Sequence, residues 1–166
     1  MSKVLSRTHA SATTSDASAP ALSVSGLASG HNGLVAIRDI TFDVAPGEVL
    51  TLLGPNGAGK STTLLSIVGV LRRMEGQVLS SDQPLSPKPE VNARMGVTLV
   101  PDDRGVFHQL SVADNLRLTR NTEDLESVLD DFPKLRSLWK RRCGLLSGGE
   151  QQMLALAKAL LQKPKV

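Results

Sequence analysis

The apolar positions along this chain change their period from strand to helix and back. Ala21–Leu27 and Val35–Val44 alternate as half-buried strands do. In the second, Ile40, Phe42 and Val44 share one face while Thr41 and Asp43 take the other. Val35 and Ile37 fall out of that parity, which predicts a turn or bulge near Arg38-Asp39. Pro46-Gly47 closes the stretch as a turn. Val49–Leu53 has no polar face beyond Thr51, the pattern of a strand buried on both sides of a parallel sheet. Further short strands are predicted at Gln77–Ser80 and Val97–Val100. Asp82–Glu90, punctuated by Pro84, Pro87 and Pro89, reads as a loop.

Helical spacing appears at Ser61–Leu71 and dominates from Ser111 onward. Ser111 is placed to cap a helix with Asp114 in its first turn. A second helix runs from Thr122 or Glu123 to Asp131 and is halted by Pro133. The last, Gly148–Gln162, opens with Ser147-Gly148-Gly149-Glu150, which has capping-box spacing. Met153, Leu156 and Leu160 line one face of it, and only the stripe through Gln151, Lys158 and Gln162 is polar, so most of this helix is expected to be buried.

Composition narrows the class. The 166 residues suit one domain, and the aromatic set of Phe42, Phe107, Phe132 and Trp139 leaves the core to aliphatic side chains. Residues 1–20 are mostly Ser, Ala and Thr and read as a disordered tail. The domain then spans 21–166. The net charge of +3 is a small excess in a mixed surface with no aromatic-and-basic stripe, so nucleic acid is not an expected partner. Lys140-Arg141-Arg142 reads as a solvated helix end, with contact to anionic lipid headgroups as the alternative. The single Cys143 gives neither a disulfide nor a metal pattern. No apolar run approaches the ~20 residues needed to span a bilayer, and Lys3 and Arg7 precede no apolar segment of a secretory signal. Any link to a membrane is expected to go through a partner.

Gly54-Pro55-Asn56-Gly57-Ala58-Gly59-Lys60-Ser61 matches G-x-x-x-x-G-K-[ST] at every fixed position, between a predicted strand and a predicted helix. Gly57 and Gly59 permit conformations that turn successive N–H groups inward as an anion nest. The following helix adds its unsatisfied donors and positive dipole end. Lys60 sets a charge against the β- and γ-phosphates, Ser61 offers a hard oxygen to Mg²⁺, and Thr62 a hydroxyl near the α-phosphate. A Gly-rich turn that merely joins strand to helix is the competing reading. The motif names only the P-loop superfamily; phosphoryl transfer, ATP sensing and nucleotide-driven assembly stay open.

Leu146-Ser147-Gly148-Gly149-Glu150-Gln151-Gln152 is identical to a common form of the ABC ATPase signature, downstream of the P-loop at a suitable distance. With Val35–Val44, Leu99-Val100-Pro101-Asp102-Asp103-Arg104, Val106-Phe107 and Phe132-Pro133-Lys134-Leu135, the chain resembles the ATP-binding subunits of ABC transporters, and within them those of branched-chain amino-acid importers. The resemblance runs from about residue 21 to the C-terminus. It implies an α/β P-loop NTPase fold with a mixed or parallel sheet core. An N-terminal antiparallel β-subdomain would accompany that core over 21–100, and a helical signature subdomain would follow over 101–166. It implies ATP and Mg²⁺ as cofactors, with Gly54, Pro55, Asn56, Gly57, Ala58, Gly59, Lys60, Ser61 and Thr62 around the phosphates. Ser147, Gly148 and Gly149 would complete the ATP site of a second ATP-binding subunit, identical or related, in a head-to-tail dimer. Further partners would be permease subunits, docked through the segment around Phe107–Trp139, and indirectly a solute-binding protein. The location would be cytoplasmic, on the inner face of the plasma membrane.

Three departures qualify that picture. The family's adenine-stacking aromatic aligns with His31, whose imidazole either stacks on the base or faces water in Gly30-His31-Asn32-Gly33. The Q-loop glutamine aligns with Asp102, read here as a metal and catalytic residue beside Lys60, with an exposed turn carboxylate as the competitor. The family continues past Lys163-Pro164-Lys165-Val166 into an aliphatic strand ending Asp-Glu, which orients Mg²⁺ and polarises the attacking water. The chain is accordingly expected to be a fragment or an early-terminated product. A truncated, non-hydrolysing nucleotide-binding remnant is therefore the rival to an energy-coupling ATPase subunit.

Overall fold

A computed structural model describes residues 5–7, the backbone only, together with 19–119 and 123–166. It divides into two compact units, residues 1–97 with Val166, and residues 98–165.

The first unit opens with β1 (Leu5–Arg7), the one part of the expected disordered tail among the described residues besides 19 and 20. Then β2 (Leu22–His31) and β3 (Leu34–Val44) form a hairpin through Asn32 and Gly33, both at positive φ (50° and 80°), the requirement of a two-residue primed turn. The irregularity expected near Arg38-Asp39 is present. Asp39 has φ 51°, and the pairs Leu27↔Ile40 and Ser29↔Ile37 enclose one extra residue on β3. That extra residue returns Ile37 to the inner face, where it is buried.

After β4 (Leu50–Leu52) and helix α1 (Lys60–Ile67), β5 (Arg73–Ser80) and β6 (Gln83–Pro84) complete an antiparallel sheet of order β3-β2-β5-β6. A second bulge on β2 centres on Gly26 (φ 59°), whose N–H donates to Thr41 Oγ1 at 2.9 Å. Gly76 crosses there: a Cβ on it would lie 2.5 Å from the Gly26 backbone. Helix α2 (Pro89–Arg94) begins inside the stretch expected as loop, at its last two residues. Pro89 stands in its first turn, where a missing N–H costs nothing. The buried Asn92 fastens it, donating to the carbonyls of Val68 and Ser86 and accepting from Ser86 N–H.

Two strand expectations are corrected. β4 is not buried on both faces in a parallel sheet. It pairs antiparallel with β1, and Val49 and Leu53 are 75% and 55% exposed. Every named strand pairing among the described residues is antiparallel. Residues 97–100 form no strand, because no described strand runs alongside to share a hydrogen-bond ladder.

The second unit is helical: α3 (Val112–Arg117), α4 (Leu125–Asp131), α5 (Lys134–Ser137), a 3₁₀ turn at Cys143–Leu145, and α6 (Gly148–Leu160). Ser111 caps α3 as expected, accepting from Asp114 N–H. Thr122, one expected start of α4, lies outside the described residues. The core is aliphatic, with Leu116, Leu135, Leu154 and Leu161 fully buried around Cys143. Helix α6 is rotated from the expected face. Gln151, Leu154, Ala155 and Ala157 are inside, while Leu156 and Leu160 are 40% and 44% exposed. Gln151 is buried because hydrogen bonds occupy its whole amide, which a polar-stripe reading does not foresee.

Candidate functional site

In the first unit a glycine-rich loop joins β4 to α1. Gly54, Gly57 and Gly59 all have positive φ, at 154°, 83° and 91°. Gly59 is the N-cap of α1 in the left-handed conformation, with no side-chain cap, so the first N–H groups of the helix stay available. A Cβ on Gly59 would come 2.3 Å from Ile37 Cγ2, so the loop is seated directly against β3. A Cβ on Gly57 would meet nothing within 4 Å, so that side of the loop is open. Lys60 Nζ donates to the carbonyls of Gly54 and Pro55, both at 2.8 Å, and so bridges the loop from within. Thr63 and Ser66 turn their hydroxyls back to the Gly59 and Thr62 carbonyls and brace the helix. Ser61 stays exposed. The uncapped helix start, an ammonium and an exposed hydroxyl make a donor set suited to a polyphosphate and its hard cation.

His31 is exposed at the tip of the β2–β3 hairpin, opposite Leu34. It therefore stands on the hairpin whose Ile37 supports Gly59.

The second unit carries the other predicted residues. Ser147 N-caps α6 in a complete capping box: its hydroxyl accepts from Glu150 N–H at 3.3 Å, and Glu150 Oε2 accepts from Ser147 N–H at 2.9 Å. The bond from the Ser147 backbone holds the Glu150 carboxyl below the usual carboxylate range. Gly148 and Gly149 are exposed, and a Cβ on Gly149 would meet nothing within 4 Å. Asp102 is exposed in a turn over residues 102–105. P-loop and signature residues thus fall in different units, and each unit presents its own glycine-flanked helix start.

Two residues of the second unit make contacts that motif reading does not foresee. Arg104, at φ 65°, donates to Gln151 Oε1 at 2.8 Å, and its other terminal nitrogen lies 3.5 Å from where a Gly148 Cβ would be. A sequence separation of 47 positions leaves no periodic trace of the pairing. Lys158 Nζ donates to Gly105 O at 2.6 Å over the Phe107 ring, and burial lowers its pKa.

The sequence profile of the family described as "ABC transporter" matches residues 37–166. The chain belongs to the ABC transporter family. Membership of this ATPase family accounts for both helix-start elements in one chain. A probable branched-chain amino acid transport ATP-binding protein, LivF of Archaeoglobus fulgidus, is 39% identical over 84% of this chain and 63% of its own length. The high-affinity branched-chain amino acid transport ATP-binding protein BraG of Pseudomonas aeruginosa is 36% identical over 82% and 62%. The lipopolysaccharide export system ATP-binding protein LptB of Escherichia coli K12 is 32% identical over 87% and 64%. Among solved structures, one described as the ATP-binding subunit of an ABC transporter superposes with a TM-score of 0.73 at 28% identity, covering 86% of this chain and 62% of the other. The chain therefore spans a little under two thirds of the length of these ABC relatives. Among the described residues no helix is long and apolar enough to cross a membrane.

Proposed function

We propose that this chain is the ATP-binding, energy-coupling subunit of an ABC importer for branched-chain or related amino acids. The observation that carries the reading is the loop at Gly54–Thr62, with three positive-φ glycines, an uncapped helix start and a lysine ammonium held on the loop's own carbonyls. ATP enters by exchanging the Gly54 and Pro55 carbonyls on Lys60 for phosphate oxygens. The same loop then keeps its shape while its amides take the charge. Magnesium, when bound, would neutralise phosphate charge, and Ser61 is the residue of this loop fitted to hold it. Asp102 is proposed as a further metal ligand, and His31 as the adenine platform, on the resemblance. Ser147, Gly148 and Gly149 are proposed to cover the γ-phosphate of ATP held by a second subunit, so that ATP joins the pair and hydrolysis parts it. Permease subunits and, through them, a solute-binding protein are the proposed partners, placing the protein at the inner face of the plasma membrane.

LivF and BraG favour amino-acid import as the process. The LptB relatives favour a second reading, lipopolysaccharide export, and transport assays with each permease class discriminate the two. The central test is Lys60→Ala titrated with a fluorescent ATP analogue. Binding should be lost, and an unchanged affinity would remove the reading.

A further inference from the structure

The turn at Pro101–Gly105 is fastened to helix α6 at two points. Arg104 bonds Gln151 near the start of α6, and Lys158 bonds Gly105 O further along it. Gln151 is itself immobilised: buried to 9% exposure, it donates through Nε2 to the carbonyls of Cys143 (3.1 Å) and Leu146 (3.4 Å). A chain of contacts therefore runs from Arg104 through Gln151 to the carbonyl directly before Ser147. The second nitrogen of the same guanidinium stands beside Gly148. A guanidinium placed against the positive end of a helix dipole is opposed by like-sign electrostatics, an opposition that an incoming anion relieves. Its backbone, in the left-handed region, is held there by the turn bond from Arg104 N–H to Pro101 O at 2.8 Å.

We propose that Arg104 is a positioning residue for Ser147, Gly148 and Gly149, setting the start of α6 through Gln151 so that this surface receives the γ-phosphate of ATP on a second copy of the chain. This rests on the ATP-sandwich reading above. Arg104 does not replace the signature residues. It fixes the rotation and depth of the helix that carries them, and a neutral, shorter side chain would leave Gln151 with its acceptor buried and unmatched.

The full chain with Arg104→Ala, Arg104→Lys, Gln151→Ala and the Ala/Ala double substitution tests this by sedimentation in saturating Mg·ATP and in Mg·ADP. The quantity read is the ratio of the ATP to the ADP self-association constants, which a purely structural weakening does not move. Arg104→Ala should lower that ratio about tenfold, the scale of one lost charged hydrogen bond. Gln151→Ala should match it, the double substitution should be no worse than either, and Arg104→Lys, which keeps a donor toward Gln151, should recover part of the loss. A wild-type ratio in Arg104→Ala and Arg104→Lys alike, or losses that add in the double substitution, overturns the proposal. A wild-type chain that binds the fluorescent analogue but does not self-associate in ATP also overturns it and leaves the P-loop reading standing. Loss of analogue binding in wild type sinks that reading first.

Discussion

A methyl group has very different consequences at the two inner glycines of the phosphate loop. Gly57 and Gly59 share the left-handed backbone that disfavours L side chains, at φ 83° and 91°. A Cβ at residue 57 meets open space, whereas at residue 59 it meets Ile37 Cγ2 at 2.3 Å. Ile37 is buried, so it has no free volume into which to retreat. Gly57→Ala should therefore cost only the conformational strain, about 1 kcal/mol. Gly59→Ala adds overpacking to that strain and should cost roughly 2–4 kcal/mol. Urea unfolding measures the difference directly. Equal midpoints for the two variants would show that the loop does not seat against β3 as described. Nucleotide affinity should follow the same order, because the amides of residues 58–60 move with the loop. A different kind of residue, Asn92, matters through its partners. Replacing it by Ala strands the Val68 carbonyl and the Ser86 N–H, while the Ser86 carbonyl keeps its bond from Arg73, and should cost about 2–3 kcal/mol in the same assay.

Helix α6 owes its start to a reciprocal cap whose strength depends on pH. The Ser147 backbone N–H favours the ionised Glu150 most strongly; burial opposes it, and the Ser147 hydroxyl contact and the charges of Lys134 and Arg141 add smaller support. A carboxyl depressed in the folded state stabilises above its unfolded pKa and loses that contribution as pH falls through the lower folded value. The cap is thus complete at neutral pH and fades below about pH 4.3, the ordinary glutamate value. Glu150→Gln should melt below wild type at pH 7, and the gap should close as the pH approaches the acid limit. A constant gap would mean that the carboxylate charge is not what holds the cap. This box was legible in advance because its four residues are contiguous, and so was the bulge on β3, because a parity break in apolar positions has few other causes. What the sequence hid has equally physical reasons. Pro84, Pro87 and Pro89 read as loop although the last sits at a helix start, where proline is tolerated. Helix α5 has four residues, too few for a period to register. Val49–Leu53 advertises two-sided burial, yet its aliphatic side chains reach solvent because burial depends on which strands lie alongside. The Arg104–Gln151 link escaped because a contact between distant segments has no local pattern.

For the molecule as a whole, ligand binding and folding are two readings of one equilibrium. A nucleotide that binds the folded loop and not the unfolded chain stabilises by RT ln(1 + [L]/Kd), about 2.7 kcal/mol at a hundredfold excess over Kd. For a chain of this length each kcal/mol moves the melting temperature by about 2–4 °C, so Mg·ATP should raise it by roughly 5–11 °C. The loop forms from positive-φ glycines and backbone amides that do not need the Lys60 ammonium for their geometry, since the glycine conformations, the Gly59 seat on Ile37 and the Thr63 brace are independent of it. Lys60→Ala should then melt within a few degrees of wild type without nucleotide, losing only the two exposed carbonyl bonds, and should show no upward shift with it. Scanning fluorimetry with Mg·ATP, Mg·ADP and no ligand separates the two effects. A large drop of the ligand-free variant would make the lysine a structural bridge across Gly54 and Pro55. A retained shift would mean that the triphosphate is held somewhere other than this loop.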